Sequence, residues 1–412
     1  MRKIMASLDV GSDTIKLVVG EMFKKKLNIL ATAEAKSQGV KKGIVQNQQE
    51  LLNSLQDVIS KCESIIGLKI KQMIVSVPSN EAVFKIVNGI VAVDSENKLI
   101  DGKDVIKVFK KAISSYRDDT MEYITFMPTS FSLDDERIVK DPKGLTSETL
   151  SVTGVLISTP KINIYPTLEC LEKLGITVLD ITIDAIGDYY EFKNKDHDKQ
   201  TCAVVNVGSD KTTLSLFNKG ILTNLKVIGI GGKTVDGDIA YVYRINNEEA
   251  KILKEKHAIA SLNNAQESEL IEIENAYREK INITQKDLSK YSSSRIEEII
   301  NLCKKEINYL TKKEISYIIF TGGLTECRDF YIPLEEIFKK TAKVGIIKEI
   351  GARNNKFSSC LGLLKYYAAC AELKNKDYSI FSIEEQQLLG GSDLDSENDS
   401  AVGKLFGYIF NN

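Results

Sequence analysis

Histidine is almost missing from this chain: only His197 and His257 occur, so catalysis or metal binding through imidazole has little to build on. Cysteine occurs seven times, at positions 62, 170, 202, 303, 327, 360 and 370, but never as a C-x-x-C pair. That spacing argues against zinc and disulfides and for reduced core thiols in a cytosolic protein. No apolar run approaches the ~18 residues needed to cross a bilayer. The first run, Ile4 to Val10, is short and carries Asp9, with Asp13 close behind. No export signal is therefore expected, and the body of the protein is expected in the cytoplasm. An excess of one charge is also lacking. Lys and Arg number 55 against 57 Asp and Glu, a net charge of -2 that leaves no field for bulk nucleic-acid binding.

What is present is an ordinary globular composition, 43% hydrophobic and 27% charged over 412 residues. At ~150 residues per domain this length corresponds to two or three domains. The main signal is an internal echo. Ser7-Leu8-Asp9-Val10-Gly11-Ser12-Asp13 opens the chain, and Val204-Val205-Asn206-Val207-Gly208-Ser209-Asp210 stands about halfway along. Each copy has a short apolar run before it and another after it, Leu17 to Val19 and Leu214 to Phe217. The reading is strand, tight glycine turn, strand, twice. Either copy alone is an ordinary hairpin; two with matching flanks point to two related α/β halves.

Further strands are expected at Leu27–Ala33, Met73–Val77, Ile221–Ile230 and Ser316–Phe320. Helices are expected at Gln49–Ile66, Val235–Tyr243 after a Gly231-Gly232 break, Glu248–Ala260 and Ser294–Leu310. Residues 81–161 read as a small α+β insertion. It has a helix Asp101–Ser115 and strands Phe84–Val93, Tyr123–Leu133 and Leu150–Ser158. Residues 382–400 are polar and acidic with Gly390-Gly391, as in a flexible linker. In 401–412, Val402, Leu405, Phe406, Ile409 and Phe410 share one helical face. At ~1.5–3 kcal/mol per fully buried large side chain, that face suits a membrane interface, less the cost of folding a short helix. Docking on the protein's own body or on a partner is the alternative.

A phosphate cradle needs close-approaching backbone N–H groups, a cation and small hydroxyls. Gly11 and Ser12 supply one hairpin, Lys16 reaches back over it, and Asp9 suits a hydrated magnesium ion. Asn206, Gly208 and Ser209 supply the opposite side, and Gly322-Gly323 would let backbone pass under a base or ribose. A Walker P-loop at Gly232-Lys233-Thr234 fails, because Val227 stands where its first glycine belongs.

Together these segments resemble the FtsA family of bacterial cell-division proteins, in the actin and Hsp70-like ATPase superfamily, over nearly the whole chain. Leu8-Asp9-Val10-Gly11-Ser12 through Lys16 is similar to the first phosphate motif, Val205 to Ser209 to the second, and Ile318 to Gly323 to the adenosine motif. Phe126-Met-Pro-Thr-Ser-Phe-Ser-Leu-Asp134 with Ile138-Val-Lys-Asp-Pro142-Lys-Gly144-Leu145 resembles the family's own insertion.

The resemblance implies an actin-like fold of two ribonuclease-H-like halves. Its subdomains would be 1A (1–80 and 162–200), 1C (81–161), 2A (201–230 and 316–381) and 2B (231–315). It implies ATP with Mg²⁺ in the cleft, held by Asp9, Gly11, Ser12, Asp13, Lys16, Asn206, Gly208, Ser209, Lys254, Gly322 and Gly323. It further implies filaments on the cytoplasmic side of the bacterial membrane at the division site. The FtsZ C-terminal peptide would dock on 2B, with Arg295, opening a 2B helix, as the contact. Later division proteins would bind 1C, and lipid would bind the C-terminal helix.

Three positions depart from the family. Asn206 replaces an Asp, and an amide cannot act as a carboxylate base, so hydrolysis is expected to be slow or absent. On that reading Asn206→Asp would raise turnover. Lys251 replaces a Glu, and Leu324 a third Gly. A pilus-assembly adaptor of the PilM type and a sugar kinase of the same superfamily are the alternatives. The tail and residues 126–145 favour the division protein over the first, and Asn206 counts against the second.

Overall fold

The computed structural model describes residues 3–114, 120–194, 196–374, 379–382 and 385–386. Most of the expected linker, the whole C-terminal helix and Ser115 lie outside these residues.

The first half begins with β1 (Lys3–Val10), β2 (Thr14–Phe23) and β3 (Lys26–Lys36), then a short ribbon of β4 (Val40–Lys41) and β5 (Ile44–Val45). Helix α1 (Gln48–Ile66) and β6 (Gln72–Val77) follow. The α1 boundaries are locally encoded: Asn47 Oδ1 accepts from the Gln49 and Glu50 N–H groups, and Gly67 ends the helix in the left-handed region at φ 71°. The insertion comprises β7 (Val83–Ala92), α2 (Gly102–Ser114), β8 (Met121–Leu133), β9 (Ile138–Val139) and β10 (Thr149–Pro160). Its sheet runs β7-β10-β8-β9, with α2 packed through Val105, Val108, Phe109 and Ala112. The chain returns through α3 (Tyr165–Lys173), β11 (Thr177–Ile183) and α4 (Asp184–Phe192).

The second half holds β12 (Thr201–Val207), β13 (Thr212–Asn218), β14 (Ile221–Ile228), α5 (Gly232–Tyr243) and α6 (Asn247–His257). Then come β15 (Leu270–Glu274), β16 (Lys280–Thr284), α7 (Gln285–Leu310), β17 (Tyr317–Thr321), α8 (Tyr331–Phe338), β18 (Ala342–Val344) and α9 (Ser358–Leu373).

The two large sheets repeat one topology. The first runs β11-β6-β1-β2-β3 and the second, read from its other end, β18-β17-β12-β13-β14. In each, the hairpin strands are antiparallel and the crossover strands parallel. The echo seen in the sequence is therefore a structural repeat. The halves also exchange helices. Helix α4 follows the first sheet but packs under the second, with Tyr189 stacked on Phe217 at 3.9 Å. Helix α9 follows the second sheet but packs under the first, placing Cys360, Leu361, Leu363 and Leu364 on Met5, Val18 and Ile74. Ile380 and Phe381 join the first core as well. Within the segment expected in the second half, Cys360, Leu361, Leu363, Leu364, Ile380 and Phe381 thus pack on the first sheet, while Tyr366 also meets the cluster around Phe217.

Other boundaries move. The glycine break between strand and helix is present but lies slightly earlier: β14 ends at Ile228, Gly231 caps α5, and Gly232 is already the first residue of that helix. Helix α6 ends at His257, three residues before the expected Ala260. Helix α7 starts at Gln285, not Ser294, so Arg295 sits in mid-helix rather than opening it. The serine run hides that start. Ser289 Oγ accepts from the Ile259 N–H at 3.0 Å, and Ser292 Oγ donates to the Ile259 carbonyl at 3.2 Å. These small hydroxyls let α7 lie against passing backbone, which a hydrophobic pattern does not register. Among the described residues no helix is long and apolar enough to cross a membrane.

Candidate functional site

A cleft of about 450 Å³ opens between the two halves, and every residue assigned above to the nucleotide lines it. The β1–β2 hairpin forms one wall. Its register pairs Asp9 with Lys16, and the Lys16 ammonium meets Asp9 Oδ2 at 2.9 Å beneath the Gly11 turn. Ser76 Oγ, from the end of β6, donates to Asp9 Oδ1 at 2.7 Å. Burial alone would raise the Asp9 carboxyl, but the Lys16 charge and the hydrogen bonds from Lys16 and Ser76 outweigh it and hold Asp9 below its ordinary value. Lys16 is likewise held above its ordinary value, since Asp9 overcomes desolvation. Both groups are charged and fixed before any ligand arrives.

The β12–β13 hairpin forms the facing wall. The Gly208 N–H closes its turn on the Lys211 carbonyl at 3.0 Å. Helix α5 is seated on this turn: the Gly232 N–H donates to the Gly208 carbonyl and the Lys233 N–H to the Ser209 carbonyl, both at 2.9 Å. Lys254, from α6, reaches under the same helix start, 2.6 Å from Asp236 and 3.2 Å from the Gly232 carbonyl. At the third side, Gly322 has φ +96°, and an added Cβ would fall 2.6 Å from the Val207 carbonyl. Only glycine fits this close crossing of β17 and β12.

Within the first half the Gly43 N–H donates to Ser12 Oγ at 2.8 Å. Several contacts tie wall to wall, beginning with the Lys42 N–H to Asp210 Oδ2 at 3.0 Å. Lys211 reaches Asn80 at 2.9 Å and Asp184 at 3.3 Å. Lys251, noted in the sequence as a departure, pairs with Asp13 at 2.6 Å, and Lys36 pairs with Glu248.

Sequence reasoning missed Lys211, Asp184, Asp188, Ser76 and Asp236. Lys211 was within reach, because it follows the second copy of the echo directly. Asp184 and Asp188 were visible as two acids one turn apart at the start of a helix, with Glu191 near its end. Arg295 lies elsewhere, in a shallow depression with Tyr241, Val242 and Tyr291. Its guanidinium is bidentate to Asp238 at 2.6 and 3.0 Å and also touches Glu298.

The donor set fits a hydrated Mg²⁺ shared with phosphates rather than a cage made by the protein alone. Asp9 offers one carboxylate with lone pairs beyond those taken by Lys16 and Ser76. Among the described residues no cluster of three metal-ligating side chains occurs.

A family model described as cell division protein FtsA matches residues 203–362. A second, described as the SHS2 domain inserted in FTSA, matches residues 82–158. The cell division protein FtsA of Bacillus subtilis (strain 168) is 27% identical over 385 residues, covering 93% of this chain and 88% of that relative. Among solved structures, the PilM-PilN type IV pilus biogenesis complex has a TM-score of 0.59 at 12% identity, covering 87% of this chain and 97% of that one. MreB5 of Spiroplasma citri bound to ADP has a TM-score of 0.57 at 12% identity, covering 90% and 99%. The fold is therefore actin-like, with an inserted small α+β domain.

Proposed function

The chain belongs to the FtsA family of cell-division proteins, and on that premise we propose that it is an ATP-binding filament protein that tethers FtsZ to the cytoplasmic membrane at the division site. The convergence of two glycine hairpins and Lys16 on one cleft carries the nucleotide reading. The hairpin N–H groups and Lys16 suit the phosphates, and Asp9 suits a hydrated Mg²⁺ bound with them. Lys254 and Gly322-Gly323 suit the nucleoside end. Bound magnesium would screen phosphate charge. With Asn206 in the second hairpin, hydrolysis is slow or absent.

The remaining assignments use surfaces outside the cleft. In subdomain 2B, exposed Tyr241 and Val242 beside Tyr291 offer an apolar seat for the FtsZ C-terminal peptide, with the Arg295 guanidinium at its side. A peptide carboxylate there competes with Asp238 for the Arg295 guanidinium. In subdomain 1C, Ile86 and Ile90 are 75% and 58% exposed on the edge strand β7. An unpaired edge with apolar side chains suits filament contacts and later division proteins. Val402, Leu405, Phe406, Ile409 and Phe410 suit lipid, weakly for one chain and firmly for a filament that multiplies the tails. A pilus adaptor of the PilM type remains the second reading through its fold alone; both family models and the curated relative point to division.

Vesicle flotation with ATP tests this. The full chain is expected to float at polymerising concentrations, while a chain ending at Ser400 and a Phe406→Glu variant sink with unchanged thermal melts. If all three sink, the membrane tether is wrong and the adaptor reading returns. If the Phe406→Glu melt falls sharply, the tail is a docked helix.

A further inference from the structure

Asp188 does not line the cleft; it lies behind the second hairpin, 1% exposed, where α4, α9 and β12 meet. Its Oδ1 accepts from Ser358 Oγ at 2.6 Å and Ser359 Oγ at 2.9 Å, both from α9. Its Oδ2 accepts from Asn206 Nδ2 at 2.7 Å. That hydrogen bond turns the NH₂ of the Asn206 amide toward Asp188. Its carbonyl oxygen is then directed at the Gly322 corner of the cleft, where a Cβ on that glycine would stand 2.4 Å from Asn206 Oδ1.

We propose that Asp188 is a positioning residue, which locks the Asn206 amide so that its carbonyl oxygen faces the cleft as an acceptor for water around the nucleotide's phosphates. This rests on the nucleotide reading above. It explains how a chain with Asn in the second phosphate hairpin still presents an acceptor there. It also gives Asn206→Asp a cost in binding, separate from any effect on turnover. That substitution puts a second carboxylate against Asp188, and two carboxylates in contact share one proton rather than both ionising.

The surroundings sharpen the conflict. Burial pushes the Asp188 carboxyl up to about 7 against the pull of Ser358 and Asn206, and the Asp184 charge on the same helix adds to it. From α9 the nearby titratable group is the Cys360 thiol, itself pushed well above its ordinary value by burial.

The experiment compares Mg-ATP affinity by calorimetric titration for the wild type, N206D and the swapped pair D188N/N206D. N206D is expected to bind at least tenfold more weakly than wild type. The swap restores a donor opposite the new carboxylate, and its affinity is expected to return to within threefold of wild type. Equal affinity for N206D and the swapped pair, or tighter binding by N206D alone, overturns the proposal. Thermal melts supply a readout that needs no nucleotide. The shared proton in N206D is held by the folded state, so its midpoint should fall further below wild type as pH rises from 5 to 8. The swapped pair should track wild type across that range. If no variant binds ATP but the melts behave this way, the nucleotide reading fails and the Asp188–Asn206 coupling stands. If the melts of N206D and the swapped pair coincide, the coupling itself is wrong.

Discussion

Lys16→Ala is expected to reduce ATP affinity by ~10–100-fold, because a hydrogen bond to a charged group contributes about 1.5–3 kcal/mol and each 1.4 kcal/mol is tenfold. A second, separable loss arises inside the apoprotein. Lys16 is the cation at Asp9 Oδ2, and the Asp9 side chain is only 15% exposed at the end of β1. Removing one partner of a buried pair costs about 3–5 kcal/mol, since the other charge stays uncompensated. The pH dependence distinguishes the two losses. In the wild type the Asp9 pKa is depressed, so its contribution is present above the unfolded carboxyl value and is lost as pH falls through the folded one. Without Lys16, burial is left to raise that pKa, and Asp9 takes up a proton instead. The stability gap between variant and wild type should therefore be widest near neutral pH and narrow on acidification below ~4. The affinity loss should persist wherever both proteins are folded. Unchanged ATP binding by a folded Lys16→Ala protein would remove Lys16 from the site.

Gly362→Val is expected to be the most destabilising single substitution on the α4–α9 crossing. A Cβ at 362 would lie 1.7 Å from the Gly187 carbonyl oxygen, and a Cβ at 187 would lie 2.5 Å from the Ser359 carbonyl oxygen. The obstacle is main chain on both sides and has no rotamer to change. Over-packed cores lose ~1–3 kcal/mol and occasionally more; here the upper end is expected. The crossing also has a functional position. It carries Ser358 and Ser359 to Asp188, and through Asp188 to Asn206 on the cleft wall. Urea denaturation should show a large drop in midpoint with little change in slope. A midpoint within error of wild type would mean the helices do not cross this closely.

The parts of this molecule legible in the sequence are those encoded by neighbours. The two hairpins announced themselves as apolar runs broken by glycine, and α1 as a helical run from Gln49 to Ile66, whose ends Asn47 and Gly67 fix locally. The insertion showed its helix through Val105, Val108, Phe109 and Ala112 on one face. What stayed hidden depends on distant partners. Helix α9 is buried on nearly all sides, from Ser358 through Leu364, so it has no polar stripe to mark its period. That it returns to the first half follows from contacts with Met5, Val18 and Ile74, over 280 positions away in the chain. Asp188 meets Ser358 and Ser359 at separations of 170 and 171 residues. Nothing near Asp188 marks that meeting. The cleft residues were found because the glycine turns are local; the clamps Lys251–Asp13 and Lys211–Asp184 were not, because each spans elements joined only by the fold.

The central claim is that a nucleotide sits between the two hairpins. Hydrogen–deuterium exchange of the full chain, with and without Mg-ATP, tests it most directly. The account predicts slowed exchange in peptides covering residues 9–16, 206–211 and 322–324, and little change in the insertion at 83–160. Protection absent from both hairpins, or confined to one half, would contradict it.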